Sequence, residues 1–183
     1  MSNGEWLPGE PESSGSGNYF RMKDLDALPD KTAYLRILCP FISGWEAWDE
    51  AGKPHRFPTK AEIAESGIKL RPEEGGKKNP KQFWATAVWN EASAKVQVFS
   101  FTQSSVFTQL KALSVNARWG QLDGYDISIT RKGTGTDTEY TILPCGKEPL
   151  SVDGAAAWAA LSAKWVGLDA LYAGANPFDD FAS

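Results

Sequence analysis

Hydrophobic and polar residues alternate in several short runs along the chain, and alternation with a period of two is typical of β-strands. In the first run, Ala33, Leu35 and Ile37 share one side, while the intervening residues share the other. The pattern predicts five strands, at residues 31–39, 82–90, 95–102, 125–132 and 138–144. The short gap between the second and third runs predicts a hairpin. We therefore expect a predominantly β protein.

Two other segments have apolar residues at three- and four-residue intervals, which predicts helices. The first segment, residues 104–118, falls between the third and fourth predicted strands. The second, residues 152–172, places Trp158 and Trp165 on one apolar stripe. Such a stripe fits a contact within the chain and a contact between subunits equally well, so the oligomeric state stays open.

The region between the first and second predicted strands, residues 41–80, is rich in Gly and Pro and is expected to be irregular. A short helix at residues 59–66 is the exception, with Thr59 as N-cap and Glu62 three residues later in a capping box. The end of the region, residues 75–81, reads Gly-Gly-Lys-Lys-Asn-Pro-Lys and predicts a basic loop.

Five strands with one helix between the third and fourth are the arrangement of the OB-fold, a small barrel that binds oligonucleotides on the face of its second and third strands. An open α+β sheet has the same element order and is the alternative. We expect a disordered Pro/Gly/Ser/Glu-rich segment at residues 1–19, the barrel at residues 20–150, a helix at residues 151–173 and a tail at residues 174–183.

The charge is distributed unevenly along the 183 residues, although the net charge is only −4. Residues 1–19 contain acidic side chains without Lys or Arg, and residues 148–183 contain Lys164 as their only Lys or Arg. Residues 20–147 therefore carry a small positive excess, which is compatible with a surface that binds phosphate groups.

The chain has two cysteines, Cys39 and Cys145, and one histidine, His55. These residues are too few for a four-ligand Cys/His zinc site, and no cofactor is expected. His55 lies in a Pro-rich segment without an organised Ser or Asp partner, which argues against an enzyme of the Ser-His-Asp type. No signal peptide and no membrane-spanning run is recognisable, so we expect a cytoplasmic protein with reduced thiols.

Single-strand binding that is independent of sequence needs cations along the backbone and aromatic faces for the bases. Tyr34 and Arg36 share the side of the first strand opposite its apolar side. Lys95, Phe99 and Phe101 share one side of the third strand, and valines occupy the other. Although an aromatic residue in a strand is more often part of the core, we expect these two faces to be exposed and to bind bases.

Other aromatic and basic residues of the β-rich part are further candidates for the same surface. In the second strand both sides carry a tryptophan, so the pattern does not determine which of the two is exposed. The remaining candidates are Arg56, Lys77, Lys78, Lys81, Trp84, Trp89, Arg131, Lys132 and Tyr140.

The segments ARWGQLDGYDISITRKGTGTDTEYTILP and QFWATAVWNEASAKVQVFSFTQSSVFTQLKAL resemble those of bacteriophage single-stranded-DNA-binding proteins of the OB-fold type. The resemblance covers about residues 30–147 and the acidic C-terminus. It implies coating of single-stranded DNA in replication, recombination and repair, without an enzymatic step. Some relatives have a zinc site after the first strand, but its ligands are missing here.

The C-terminus ends in two acidic residues between two aromatic ones, and exposed aromatic side chains of this kind usually bind something. The residues are Phe178, Asp179, Asp180 and Phe181. They resemble the tails with which single-stranded-DNA-binding proteins recruit replication and repair enzymes, which implies the same role here. Two alternatives remain, a protein-interaction module without nucleic-acid affinity and an RNA-binding OB protein.

Overall fold

The computed structural model describes residues 18–178 and shows mostly β-sheet with a few helices. The strands of the described part are β1 (Tyr19–Phe20), β2 (Thr32–Ile37), β3 (Ile42–Trp48), β4 (Pro54–Phe57), β5 (Lys81–Asn90), β6 (Lys95–Phe101), β7 (Asp126–Lys132) and β8 (Glu139–Pro144). The α-helices are α1 (Lys60–Ser66), α2 (Ser104–Val115) and α3 (Val152–Ser162), and short 3₁₀ helices include Met22–Ala27, Leu122–Gly124 and Leu168–Ala173.

Strand β5 is the centre of the sheet because it is long enough to pair with three other strands. It lies antiparallel to β6 on one edge and antiparallel to β2 and β3 in succession on the other. Beyond β2 the sheet continues antiparallel through β7 and β8, and beyond β6 it ends in the short parallel strand β1. Strand β4 pairs with β3 to form a hairpin that projects from this framework.

The sheet formed by residues 18–178 does not close, so the predicted five-stranded OB-fold barrel is not confirmed. The strand order is β1-β6-β5-β2-β7-β8, and no ladder joins β8 to β1 or β6 within the described residues. Helix α2 lies along the free edge of β8 instead. The Gln109 side-chain amide donates to the Tyr140 carbonyl oxygen at 2.8 Å, and its oxygen accepts from the Ile142 N–H at 2.8 Å. Gln109 therefore hydrogen-bonds to the backbone of β8 in place of a neighbouring strand.

We expect the Gln109→Ala variant to lose about 1–3 kcal/mol of unfolding free energy, because two partly buried backbone groups of β8 lose their partner. Urea denaturation followed by tryptophan fluorescence measures this loss. Gln121→Ala is the control, since Gln121 is exposed. Equal midpoints for the two variants would contradict the role of Gln109.

Two hydrophobic clusters lie on opposite faces of the sheet. The inner core fills the space between the sheet, α2 and the Met22–Ala27 helix, and it includes Leu35, Val88, Phe99, Phe101, Val106, Leu110, Ile127, Ile129 and Ile142. The outer core covers the other face of β5 and β6, and it consists of Phe83, Ala85, Val98, Leu168, Leu171 and Phe178. Its last three residues belong to the segment after α3, so this C-terminal segment buries a sheet face that would otherwise be exposed.

The structure differs from the sequence predictions mainly in three places. The region predicted to be irregular contains the β3–β4 hairpin, whose pattern is masked by a glycine within β3 and a proline at the start of β4. The predicted helix at residues 152–172 ends at Ser162, and the 3₁₀ helix Leu168–Ala173 follows after Gly167, which adopts φ 92°. Tyr19, predicted to be disordered, belongs to β1. The N-cap prediction is confirmed, since the Thr59 hydroxyl accepts from the Glu62 N–H.

Candidate nucleic-acid interface

An open groove of about 970 Å³ lies beside the outer core, between the β3–β4 hairpin, the C-terminal segment and the chain that follows β1. Ser100 and Thr102, at the end of β6, belong to its lining. The charged and aromatic side chains in the lining include Arg21, Lys23, Lys53, Arg56, Glu46, Tyr19, Trp48 and Tyr172. Four basic side chains against one carboxylate give the groove an excess of positive charge.

The β3–β4 hairpin forms one wall of the groove. Because residues two apart in a strand share a face, Glu46 and Trp48 point the same way, and Arg56 lies directly opposite Glu46. The Arg56 Nε donates to the Glu46 carboxylate at 3.2 Å, and its guanidinium lies 5.3 Å from the centre of the Phe83 ring. These contacts hold a half-buried cation at the edge of the outer core.

The turn of this hairpin is held by Asp49. Its carboxylate pairs with His55 Nε2 at 2.8 Å and accepts from the Lys53 N–H at 2.8 Å. The expectation that His55 lacks an organised Asp partner is therefore wrong. The hydrogen bond from His55, followed by that from Lys53, holds the pKa of Asp49 below its usual value. The turn is therefore fixed by an ionised carboxylate, and it places Lys53 and His55 in the lining of the groove.

Tyr172, from the C-terminal segment, forms the opposite wall. Its hydroxyl donates to the Ser43 carbonyl oxygen at 2.6 Å, and its ring centre lies 6.1 Å from that of Phe83. A Cβ atom at Gly44 would lie only 2.9 Å from the Tyr172 ring and 2.5 Å from the Phe57 carbonyl oxygen, so a glycine is required there. Burial, then the nearby Asp169 carboxylate, raises the pKa of Tyr172, which keeps its hydroxyl a donor at neutral pH.

A second, smaller pocket of about 430 Å³ lies in the loop between α1 and β5. Arg71, Lys77 and Lys78 line it, together with Glu74. The Arg71 guanidinium also lies 5.4 Å from the centre of the Trp48 ring, and Trp48 lines the groove. The contact between Arg71 and Trp48 thus links a residue of the pocket to a residue of the groove.

Four of the residues predicted from the sequence line these cavities, namely Arg56, Lys77, Lys78 and the buried Phe101. Lys81 is half-buried at the start of β5, opposite Glu46 of β3. The sequence analysis missed Trp48, Tyr172, Arg21 and the other residues of the groove. The strand–turn–strand pattern on either side of Asp49 was the signal that could have revealed the hairpin wall.

The prediction that the Phe99 side of β6 faces solvent is wrong. Phe99 is completely buried, with ring centres 5.7 Å from Phe20 and 5.1 Å from Phe101, which is also buried. Trp84 is buried between the rings of Phe101 and Phe107. These aromatic residues fill the inner core, so their faces are not available to bases.

Trp89 lies on the opposite side of β5 and is buried as well. Its Nε1 donates to the Glu91 carboxylate and lies close to Gly154, at the start of α3. Helix α3 therefore covers the second tryptophan of this strand, and neither face of β5 offers an exposed indole.

Arg36 is also misplaced by the sequence analysis, because its side chain is buried rather than exposed. Its Nε donates to the Asp126 carboxylate at 2.6 Å, and its Nη2 donates to the Glu148 carbonyl oxygen at 2.6 Å. Arg131 is mostly buried, and its Nη1 donates to the Asp26 carboxylate at 2.6 Å. Both guanidinium groups are thus neutralised by carboxylates and hold segments of the chain together.

Tyr34 is exposed as predicted, with 58% of its surface accessible. Lys95 and Lys132 are exposed too, whereas Tyr140 packs against the inner core. None of these four residues lines the groove or the loop pocket. The structure therefore does not bring them together with Arg56 into one surface.

Phe178 was predicted to be exposed in the tail, but it is buried in the outer core. Its ring stacks on Trp165 with centres 6.0 Å apart, and Trp165 contacts Trp158 edge-on at 5.1 Å. The stripe of the predicted C-terminal helix therefore makes contacts within the chain. Asp179, Asp180 and Phe181 lie outside the described residues.

Comparison of the chain with protein-family models, curated proteins and solved structures finds no match. In residues 18–178 no helix has the length and apolar character needed to cross a bilayer. The same residues contain no group of three or more His, Cys, Asp or Glu side chains that could hold a metal ion.

Proposed function

We propose that this protein binds single-stranded DNA without sequence preference, along the groove between the β3–β4 hairpin and the C-terminal segment. The observation that carries the proposal is the combination of cations and aromatic rings in one open groove. Arg21 and Arg56 would meet phosphates, while Tyr19 and Trp48 offer ring surface to the bases. Base stacking on such rings contributes about 1–3 kcal/mol per base, whatever the base.

We equate the β5–β6 hairpin with the second and third strands of an OB-fold, on whose face oligonucleotides bind. The end of β6, at Ser100 and Thr102, belongs to the lining of the groove. We interpret the sheet as a partly open barrel of this type, in which α2 covers the gap beside β8. The resemblance to phage proteins suggests a role in replication, recombination and repair in the host cytoplasm.

The acidic C-terminus completes the proposal. Because Phe178 is buried, Asp179, Asp180 and Phe181 are the residues proposed to recruit replication and recombination proteins. A basic partner would meet the two carboxylates, as expected for charge-complementary surfaces.

Titration of labelled oligo-dT followed by fluorescence anisotropy at two salt concentrations tests the proposal. For Arg21→Ala/Arg56→Ala we expect weaker binding and a salt dependence shallower by about 1.4 in the log–log slope, since each phosphate contact on a single strand contributes about 0.7. The control Lys95→Ala/Lys132→Ala removes the same charge outside the groove, and we expect it to bind nearly as wild type does.

Three results separate this function from its alternatives. A wild-type protein that binds no oligo-dT at low salt would exclude the function and favour a protein-interaction module. Equal losses in the two double variants would show that net charge acts rather than the groove. Tighter binding of oligo-rU than of oligo-dT of equal length would identify an RNA-binding protein.

A further inference from the structure

The loop between α1 and β5 is tied to the edge of β3 by one side chain, that of Asn79. The Asn79 amide nitrogen donates to the carbonyl oxygens of Trp48 and Arg71, both at 2.8 Å, and its oxygen accepts from the Trp48 N–H at 2.9 Å. The Arg71 N–H also donates to the Trp48 carbonyl oxygen, at 2.9 Å. The two ends of the basic loop are therefore fixed to the strand that carries Trp48.

A further bond continues this arrangement within the loop. The Asn79 N–H donates to the Glu73 carboxylate at 3.1 Å, so this carboxylate is hydrogen-bonded to the backbone of the loop. The lining of the loop pocket then contains Arg71, Lys77 and Lys78 against the single carboxylate of Glu74. An excess of positive charge in a concave loop favours an anionic ligand.

Trp48 of the groove is in contact with Arg71 of the loop pocket. The Arg71 guanidinium lies over the Trp48 indole, and Trp48 is one of the residues that line the groove. Arginine over a tryptophan face is a favourable pair, and it holds a cation of the pocket against a residue of the groove. A strand that leaves the groove over Trp48 would meet Arg71 and then the two lysines.

We propose that the loop pocket is a second phosphate-binding subsite, so that a single strand runs from the groove across Trp48 to Lys77 and Lys78. The inference rests on the proposed single-strand function and specifies its ligand. The bound strand must be long enough to occupy both cavities, and Asn79 is the positioning residue that keeps them adjacent.

A length series of oligo-dT tests this proposal. Binding sites on OB-folds span about 4–16 nucleotides, so we compare dT of about 4 and about 16 nucleotides at several salt concentrations. For Lys77→Ala/Lys78→Ala we expect unchanged affinity for the short strand. For the long strand we expect a slope shallower by about 1.4. If variant and wild type bind equally at about 1 M salt, this difference makes the variant bind roughly 25-fold more weakly than wild type at about 0.1 M salt.

Asn79→Ala provides the independent variant, because it leaves every charge in place. We expect it to weaken binding of the long strand selectively and to shift the Trp48 contribution to the fluorescence spectrum, since the end of the loop at residue 79 loses its side-chain bonds to β3. Far-ultraviolet circular dichroism checks that the variant is folded. The control is again Lys95→Ala/Lys132→Ala. Its affinity relative to wild type should be the same for the short and the long strand.

The outcomes separate the two proposals. If the wild-type protein binds neither strand, the single-strand function fails and the subsite fails with it. If it binds both but the lysine variant retains wild-type affinity for the long strand, only the subsite is excluded. A loss that is equal for short and long strands also excludes it, because the lysines would then act on the groove in general.

Discussion

The Phe99→Ala variant is expected to lose about 3–5 kcal/mol of unfolding free energy, the usual range for truncating a buried phenylalanine. Phe99 is fully buried and contacts the rings of Phe20 and Phe101, so its removal leaves a cavity at the centre of the inner core. Urea denaturation at equilibrium measures the effect. Because the total stability of a domain is about 5–15 kcal/mol, the variant is expected to be only marginally folded.

Tyr34→Ala is the matched control for Phe99→Ala, since it also removes an aromatic ring from a strand but from an exposed position. Its expected effect on stability is within about 0.5 kcal/mol. A Phe99 variant of wild-type stability that has lost affinity for oligo-dT would contradict the burial of this ring and restore the stacking role that the sequence suggested.

Arg36→Ala is expected to lower the unfolding free energy by about 3 kcal/mol, the lower end of the range for breaking a buried ion pair. The lower end applies because Asp126, the carboxylate left behind, is half-exposed. Arg36 also donates to the carbonyl oxygens of Glu148 and Asp123, which fixes the chain after β8 and the turn before β7. Thermal and urea unfolding both report the loss.

Arg36→Lys distinguishes the charge from the geometry. A lysine keeps the positive charge but cannot direct several fixed N–H groups at three acceptors, so we expect it to recover only part of the stability. The affinity of folded Arg36→Ala protein for oligo-dT should equal that of wild type, since Arg36 does not line the groove. Weaker binding without a loss of stability would place Arg36 back on the nucleic-acid surface.

The contrast between β6 as predicted and β6 as observed shows what alternation can determine. Its period identifies which residues share a face, and it grouped Phe99 with Phe101 correctly. It does not determine which face is buried when both are apolar, and here Val98 is as buried as Phe99. That choice depends on α2 and on the C-terminal segment, which pack against opposite faces of the sheet.

The groove was predictable only in part, for a related reason. Arg56, Lys77 and Lys78 belong to a continuous region of the chain that is visibly basic. Tyr172 reaches the same groove from a segment 129 residues away from its partner Ser43, so no local pattern connects the two. Arg36 shows the opposite error, because a cation in an alternating strand looks exposed until its partners in distant segments are known.

The burial of Phe178 changes how the acidic end of the chain should be studied. A truncation that starts at Asn176 removes an aromatic anchor from beside Trp165 along with the negative charge. A change in DNA affinity could then result from the lost negative charge or from weaker packing of the segment that carries Tyr172. Cutting after Phe178, or replacing Asp179 and Asp180 by asparagine, separates the two contributions and leaves the scaffold of the groove intact.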